Sequence, residues 1–265
     1  MRYTINRRSY WVEDSGTGFP LVMLHGFTGS TRTFDETCAS LDGDYRLIKV
    51  DLPGHGRTGP LGVVTMEQFC RDLDALFDAL ELERAAVLGY SLGGRAALSF
   101  AALYPERVEK LLLESASPGL ETTEEQLARQ AKDKTLAEMI RDKGIDAFVS
   151  YWENIPLFRT QNRLSQQAKT AIREERLAQD PGGLRESLLG MGTGHQPSWW
   201  ERMSDLQMDV QLVVGALDEK FCRINDRMEK RIPEASYIVV EKAGHAIHLE
   251  KPKIFAKIVD GFMIK

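Results

Sequence analysis

The segment Ala85-Ala86-Val87-Leu88-Gly89-Tyr90-Ser91-Leu92-Gly93-Gly94 constrains the fold more than any other. An apolar run enters Gly-x-Ser-x-Gly and leaves into a helical stretch, Arg95 to Tyr104. Gly89 and Gly93 leave room for a sharp strand-to-helix turn at Ser91, which holds its hydroxyl clear of a sheet with a helix N-terminus beneath it. The rest of the chain repeats this strand-then-helix rhythm. Short apolar runs at 21–24, 47–50, 85–88, 111–113, 211–214 and 237–240 read as buried strands. Between them lie helical stripes such as Phe69, Leu73, Leu76, Phe77 and Leu80, and later Ile254, Phe255, Ile258, Val259 and Phe262. The alternation predicts an α/β fold, a mostly parallel sheet flanked by helices.

One interval breaks the rhythm. From about Gly119 to Asp205 no strand pattern appears, and helical spacings such as Leu136 to Ile140 and Phe148 to Trp152 take over. It reads as a helical cap inserted between two strands, which divides the chain into 1–118, 119–205 and 206–265.

Composition then narrows the chemistry. The 265 residues are 43% hydrophobic, enough for a sizeable core. Lys and Arg number 34 against 39 Asp and Glu, a net charge of −5 with no basic stripe, which argues against a nucleic-acid partner. No run approaches about 18 apolar residues, and Met1 to Gly18 lacks the apolar centre of a secretory signal, so no membrane span and a cytoplasmic protein are expected. Cys38, Cys70 and Cys222 fit neither a disulfide framework nor a metal-ligand pair and read as reduced thiols. No dinucleotide fingerprint, P-loop, H-E-x-x-H or cysteine pair is present, so neither a metal nor a flavin or nucleotide cofactor is expected. Nothing in the sequence fixes an oligomeric state.

A serine nucleophile needs a base, and the base needs an orienting acid. Asp218 falls just past the strand at 211–214 and His245 just past the next, and the order Ser91, Asp218, His245 is that of triads built on such an elbow. Glu219, adjacent to the acid, and His248, three residues past the base, are the alternatives. His55 reads as a loop-shaping residue and His195 as solvated. The backbone N–H groups of Leu92, after the nucleophile, and Phe27, where the strand at 21–24 breaks at His25-Gly26, are the expected oxyanion hole. Arg95 lies four positions after Ser91, one helical turn on the same side, and is the only charged residue from Gly89 to Pro105. A buried guanidinium there needs a partner, either an internal acid or a substrate carboxylate beside the nucleophile.

His25-Gly26-Phe27, Asp51-Leu52-Pro53-Gly54-His55-Gly56, Gly89 through Arg95, Glu114-Ser115-Ala116-Ser117-Pro118-Gly119 and Ala243-Gly244-His245 together resemble the 2-succinyl-6-hydroxy-2,4-cyclohexadiene-1-carboxylate synthases of menaquinone biosynthesis. The resemblance runs over essentially the whole chain and implies an α/β-hydrolase fold. It also implies a lyase that eliminates pyruvate from 2-succinyl-5-enolpyruvyl-6-hydroxy-3-cyclohexene-1-carboxylate, with the triad acting as a base system. Tyr90, Arg95, Arg129, Trp152 and Arg176 are the substrate-binding positions it implies, with Arg163 and Arg173 as alternatives within the cap. The expected partner is a small, multiply carboxylated substrate. A serine hydrolase of an ester or carbon–carbon bond is the alternative, and a non-catalytic module on the same fold a third. The arginines favour an anionic ligand, and the complete triad favours catalysis.

Overall fold

The computed structural model describes residues 1–264. The first half of the chain runs β1 (Arg2–Ile5), β2 (Arg8–Ser15), β3 (Phe19–Leu24), α1 (Asp35–Cys38), β4 (Tyr45–Val50), α2 (Met66–Ala79), β5 (Ala85–Tyr90), α3 (Leu92–Leu103) and β6 (Val108–Glu114). It continues through α4 (Thr123–Trp152), α5 (Gln166–Leu177), α6 (Pro181–Met191), β7 (Asp209–Gly215), α7 (Glu219–Glu229), β8 (Ala235–Val240), α8 (Ile247–Glu250) and α9 (Pro252–Met263). One eight-stranded sheet results, ordered β1-β2-β4-β3-β5-β6-β7-β8. The first two strands pair antiparallel, and the six from β4 to β8 are parallel.

The continuous apolar run of β5 follows from its central place. Ala85 and Val87 face one layer, where they join Phe77 of α2 and Phe100 of α3. Ala86 and Leu88 face the other, with Phe255 and Val259 of α9. Alternate side chains leave opposite faces of a strand, so a strand covered on both faces must be apolar throughout. α2 starts where a capping box fixes it: Thr65 Oγ1 accepts the Gln68 N–H at 3.2 Å and Gln68 Oε1 accepts the Thr65 N–H at 2.9 Å.

The six apolar runs all lie within strands, but the reading missed β1 and β2. This hairpin alternates charged with apolar residues and buries chiefly Ile5, Tyr10 and Val12, too few for an apolar run. Its turn, Asn6-Arg7, takes φ of 49° and 67° without the glycine that normally announces such a turn. The helix expected from Arg95 to Tyr104 begins earlier, at Leu92, and ends at Leu103.

Between β6 and β7 the described residues form helices and turns without a strand. Ala137, Ile140, Phe148, Val149, Leu184 and Leu188 make a separate apolar cluster there, into which Phe27 also packs. α4 bends at Gly144, whose φ of 78° and ψ of 176° are not helical. Phe27, which follows β3, packs into this insert's cluster beside the point where β4 and β5 flank β3 on opposite sides. There the chain's winding reverses and loops splay apart at the carboxyl ends of the strands, opening a crevice.

Candidate active site

Ser91 occupies the one-residue joint between β5 and α3 with φ 50° and ψ −104°, a conformation that costs an L-residue and persists only where the surroundings enforce it. Two glycines allow it. A Cβ on Gly89 would lie 2.3 Å from the Gly93 carbonyl oxygen, and one on Gly93 would lie 2.0 Å from that of Leu24. The Ser91 hydroxyl donates to His245 Nε2 at 3.0 Å, and His245 Nδ1–H donates to Asp218 Oδ2 at 2.6 Å. The carboxylate thereby selects the tautomer whose Nε2 can accept a proton.

His245 is held tightly. Its ring packs against Phe221 at 4.6 Å and Tyr90 at 5.4 Å between centroids. Glu250 accepts the Gly244 N–H at 2.9 Å and the Thr160 hydroxyl at 2.8 Å, which ties the histidine loop to the insert. His248 lies off this line, buried on Glu114, and Glu219 is exposed. His55 is buried with Nδ1 3.0 Å from the Pro53 carbonyl, and His195 is exposed.

Phe27 and Leu92 both line the cavity into which Ser91 opens. Neither backbone N–H is used in a hydrogen bond among the described residues. For Leu92, the first residue of α3, this is expected, because the first amides of a helix have no internal acceptor. The cavity measures about 860 Å³, within the range for small-molecule sites.

Arg95 also lines it. Its NH1 donates to the Met191 carbonyl at 2.9 Å and to Gln196 Oε1 at 3.1 Å, and among the described residues it has no ion-pair partner. Burial, and then the charge of Arg129, pull its pKa down to about 9, so it is cationic at neutral pH. Arg129 lines the cavity with Nε bonded to Asp133 Oδ1 at 2.8 Å. Trp152, at the end of α4, stands edge-on to Phe27 at 5.4 Å, and its buried Nε1 has no partner among the described residues. Tyr90 forms part of the wall beside Ser91, its phenol pKa raised by burial and by nearby Glu114.

Arg176 is placed apart from these. It is buried with NH2 on Gln161 Oε1 at 3.1 Å and its guanidinium 5.0 Å from the Phe158 ring, and it lines a neighbouring pocket of about 290 Å³. Phe158, which that guanidinium faces, lines the larger cavity. Of the two alternatives, Arg163 reaches the cavity and Arg173 pairs with Glu153. Sequence reasoning passed over Arg159, Ser187 and Lys220, which also line the cavity. Only Lys220, two positions after Asp218, carried a signal. Among the described residues no three His, Cys, Asp or Glu side chains converge as a metal site requires.

Comparison with known proteins agrees with this architecture. Residues 20–252 match the α/β hydrolase fold family. Over 260 residues the chain is 46% identical to a Bacillus subtilis (strain 168) protein provisionally named 2-succinyl-6-hydroxy-2,4-cyclohexadiene-1-carboxylate synthase, covering 96% of this chain and 94% of the relative. It is 29% identical over 240 residues to the synthase of that name from Enterobacter sp. (strain 638), with 90% of each chain covered. The solved structure of MenH from S. aureus superimposes with a TM-score of 0.91 at 32% identity, covering 96% of this chain and 97% of the other.

Proposed function

Because the chain belongs to the α/β-hydrolase fold family and, within it, to the 2-succinyl-6-hydroxy-2,4-cyclohexadiene-1-carboxylate synthases, we propose that it eliminates pyruvate from 2-succinyl-5-enolpyruvyl-6-hydroxy-3-cyclohexene-1-carboxylate. His245, oriented by Asp218, draws the Ser91 proton as the Ser91 oxygen takes the ring proton alpha to the succinyl carbonyl. The electrons released form the enolate, move through the ring double bond and break the bond to the enolpyruvyl oxygen. Pyruvate leaves as its enolate and is then protonated on carbon. The Phe27 and Leu92 amides serve the developing enolate oxygen. Donors preplaced in this way are worth roughly 10²–10³ in rate each.

Recognition falls to the cations. Arg95 takes a substrate carboxylate one helical turn from Ser91, and Arg129 takes a second from the insert, 119–205, which acts as the lid. Trp152 and Tyr90 line the ring's pocket, and Arg176 acts from the neighbouring pocket, against Phe158. One observation carries the reading: a buried arginine without an ion-pair partner lines the same cavity as a serine that donates to its histidine at 3.0 Å. A buried cation of that kind is costly until an anion arrives, and a pocket for neutral esters has no use for it.

The test is stoichiometry. Pyruvate, read by coupled NADH oxidation, is expected to appear mole for mole with the conjugated diene's absorbance and without added metal. Ester hydrolysis with no pyruvate release would make the protein a hydrolase.

A further inference from the structure

A second histidine–carboxylate pair lies beneath the triad. Glu114, the last residue of β6, and His248, in α8, have side chains 0% exposed, and His248 Nδ1–H donates to the two Glu114 oxygens, 2.9 and 2.8 Å away. The His248 backbone N–H donates to Glu114 Oε1 at 3.0 Å as well. Through its main chain Glu114 reaches the nucleophile, because its carbonyl accepts the Ser91 N–H at 2.9 Å. The next amide, that of Ser115, donates to the Val213 carbonyl at 2.9 Å, in the strand that leads to Asp218. Glu114 and its neighbour Ser115 therefore join the chain segments that present all three triad members.

The imidazole is caged by rings. Its centroid lies 4.4 Å from that of Tyr90, the neighbour of Ser91, and 5.1 Å from that of Phe34. Among the described residues Nε2 has no hydrogen-bond partner, which suits the tautomer protonated on Nδ1. Stability alone is a poor account of such a pair, since both partners of a buried hydrogen bond can often be replaced by apolar side chains of similar shape at little cost. What apolar side chains cannot supply is direction.

We propose that Glu114 is a positioning residue for the Ser91–His245 pair, and that through His248 it holds the histidine loop in register with the nucleophile elbow. The inference rests on the reading of Ser91 and His245 as the reacting groups. Displacing a reacting group by about 1 Å costs on the order of 100-fold, so loosening this brace lowers turnover without touching the groups that bind substrate.

The test uses kcat and KM for pyruvate release, the rate of Ser91 phosphonylation by an organophosphonate, and Tm. Glu114→Gln removes an acceptor while keeping the shape; it is expected to lower kcat and phosphonylation together by about 10- to 100-fold with KM unchanged. His248→Asn, whose amide can replace Nδ1–H on Glu114, is expected to stay within a few-fold of the native rate. Should Glu114→Gln not fold, the double variant Glu114→Met with His248→Leu decides, because it leaves no lone buried charge. Asp72→Asn is the control: Asp72 accepts from Asn6, Arg8 and Tyr10 near the opposite edge of the sheet, and its loss should lower Tm and leave kcat alone. The proposal is overturned if a folded Glu114 variant keeps native kcat, or loses only KM. Parallel loss of phosphonylation in a protein that releases no pyruvate would uphold the brace and refute the lyase.

Discussion

On the sheet side of the cavity, Ser91, Asp218 and His245 stand just past the ends of β5, β7 and β8, joined by hydrogen bonds of 3.0 and 2.6 Å. The insert side is looser. Arg129 and Trp152 come from opposite arms of a helix that bends at Gly144, and Trp152 Nε1 and Ser187 Oγ are buried there without partners among the described residues. Strand pairing fixes the first wall before any ligand arrives, whereas the second has a bent helix and unpaired donors. The sheet side should therefore govern kcat and the insert side KM.

The largest effects test the first half of that contrast. Ser91→Ala and His245→Ala should each lower kcat by several decades, up to about 10⁶ as in a serine protease triad, and the double variant should be no worse than either alone. Asp218→Asn, which disturbs the tautomer, should cost about 10⁴. Steady-state kinetics on the three single variants and the double check this; multiplying losses would show that the two groups do not act as one unit.

Acid should also strike the sheet side. Burial lowers His25 to about 4 and His55 to about 3. Both are neutral in either state above pH 6.5. Below that value the unfolded chain takes up protons that the fold refuses, and stability falls toward pH 4 and beyond, by up to about 1.4 kcal/mol per pH unit for each histidine. Asp51, raised by burial, opposes this, because the fold takes up its proton before the unfolded chain does. Denaturant midpoints from pH 7 to 4.5 should show the fall, and His55→Asn should flatten it.

The smallest effects belong to the insert. Arg129→Ala should raise KM about tenfold, since its guanidinium is a third exposed, at 35%, and already shared with Asp133. Arg176→Ala should cost no more, because Arg176 lines the neighbouring pocket rather than the cavity into which Ser91 opens. A kcat loss from either as large as that of a triad variant would break the division of labour between the walls.

The same difference sets what could be read from sequence. A strand end followed by Gly or Asp is a local signal, so the elbow at Ser91, the break at His25-Gly26 and the turns bearing Asp218 and His245 were legible together with the parallel sheet. Arg173 and Arg176 sit three apart on α5, and only the packing of that helix decides that one meets Glu153 and the other Phe158. The pairing of Glu114 with His248 was illegible for a related reason, since it joins residues 134 apart in sequence and neither lies in a motif that announces the other.

Arg95 joins the two walls: it stands on α3, one turn from Ser91, and donates to Met191 and Gln196 of the insert. Measuring pyruvate release and the hydrolysis of a small neutral ester side by side in Arg95→Ala is the most direct test of the account. Losing a buried charge-assisted contact to a substrate carboxylate, about 3 to 5 kcal/mol, should lower kcat/KM for pyruvate release by roughly two to four decades. Arg95→Lys should recover only part of it, and ester hydrolysis and Tm should barely change. Equal loss of both activities with a lowered Tm would contradict the account, by making Arg95 a strut between sheet and insert rather than the group that recognises the substrate.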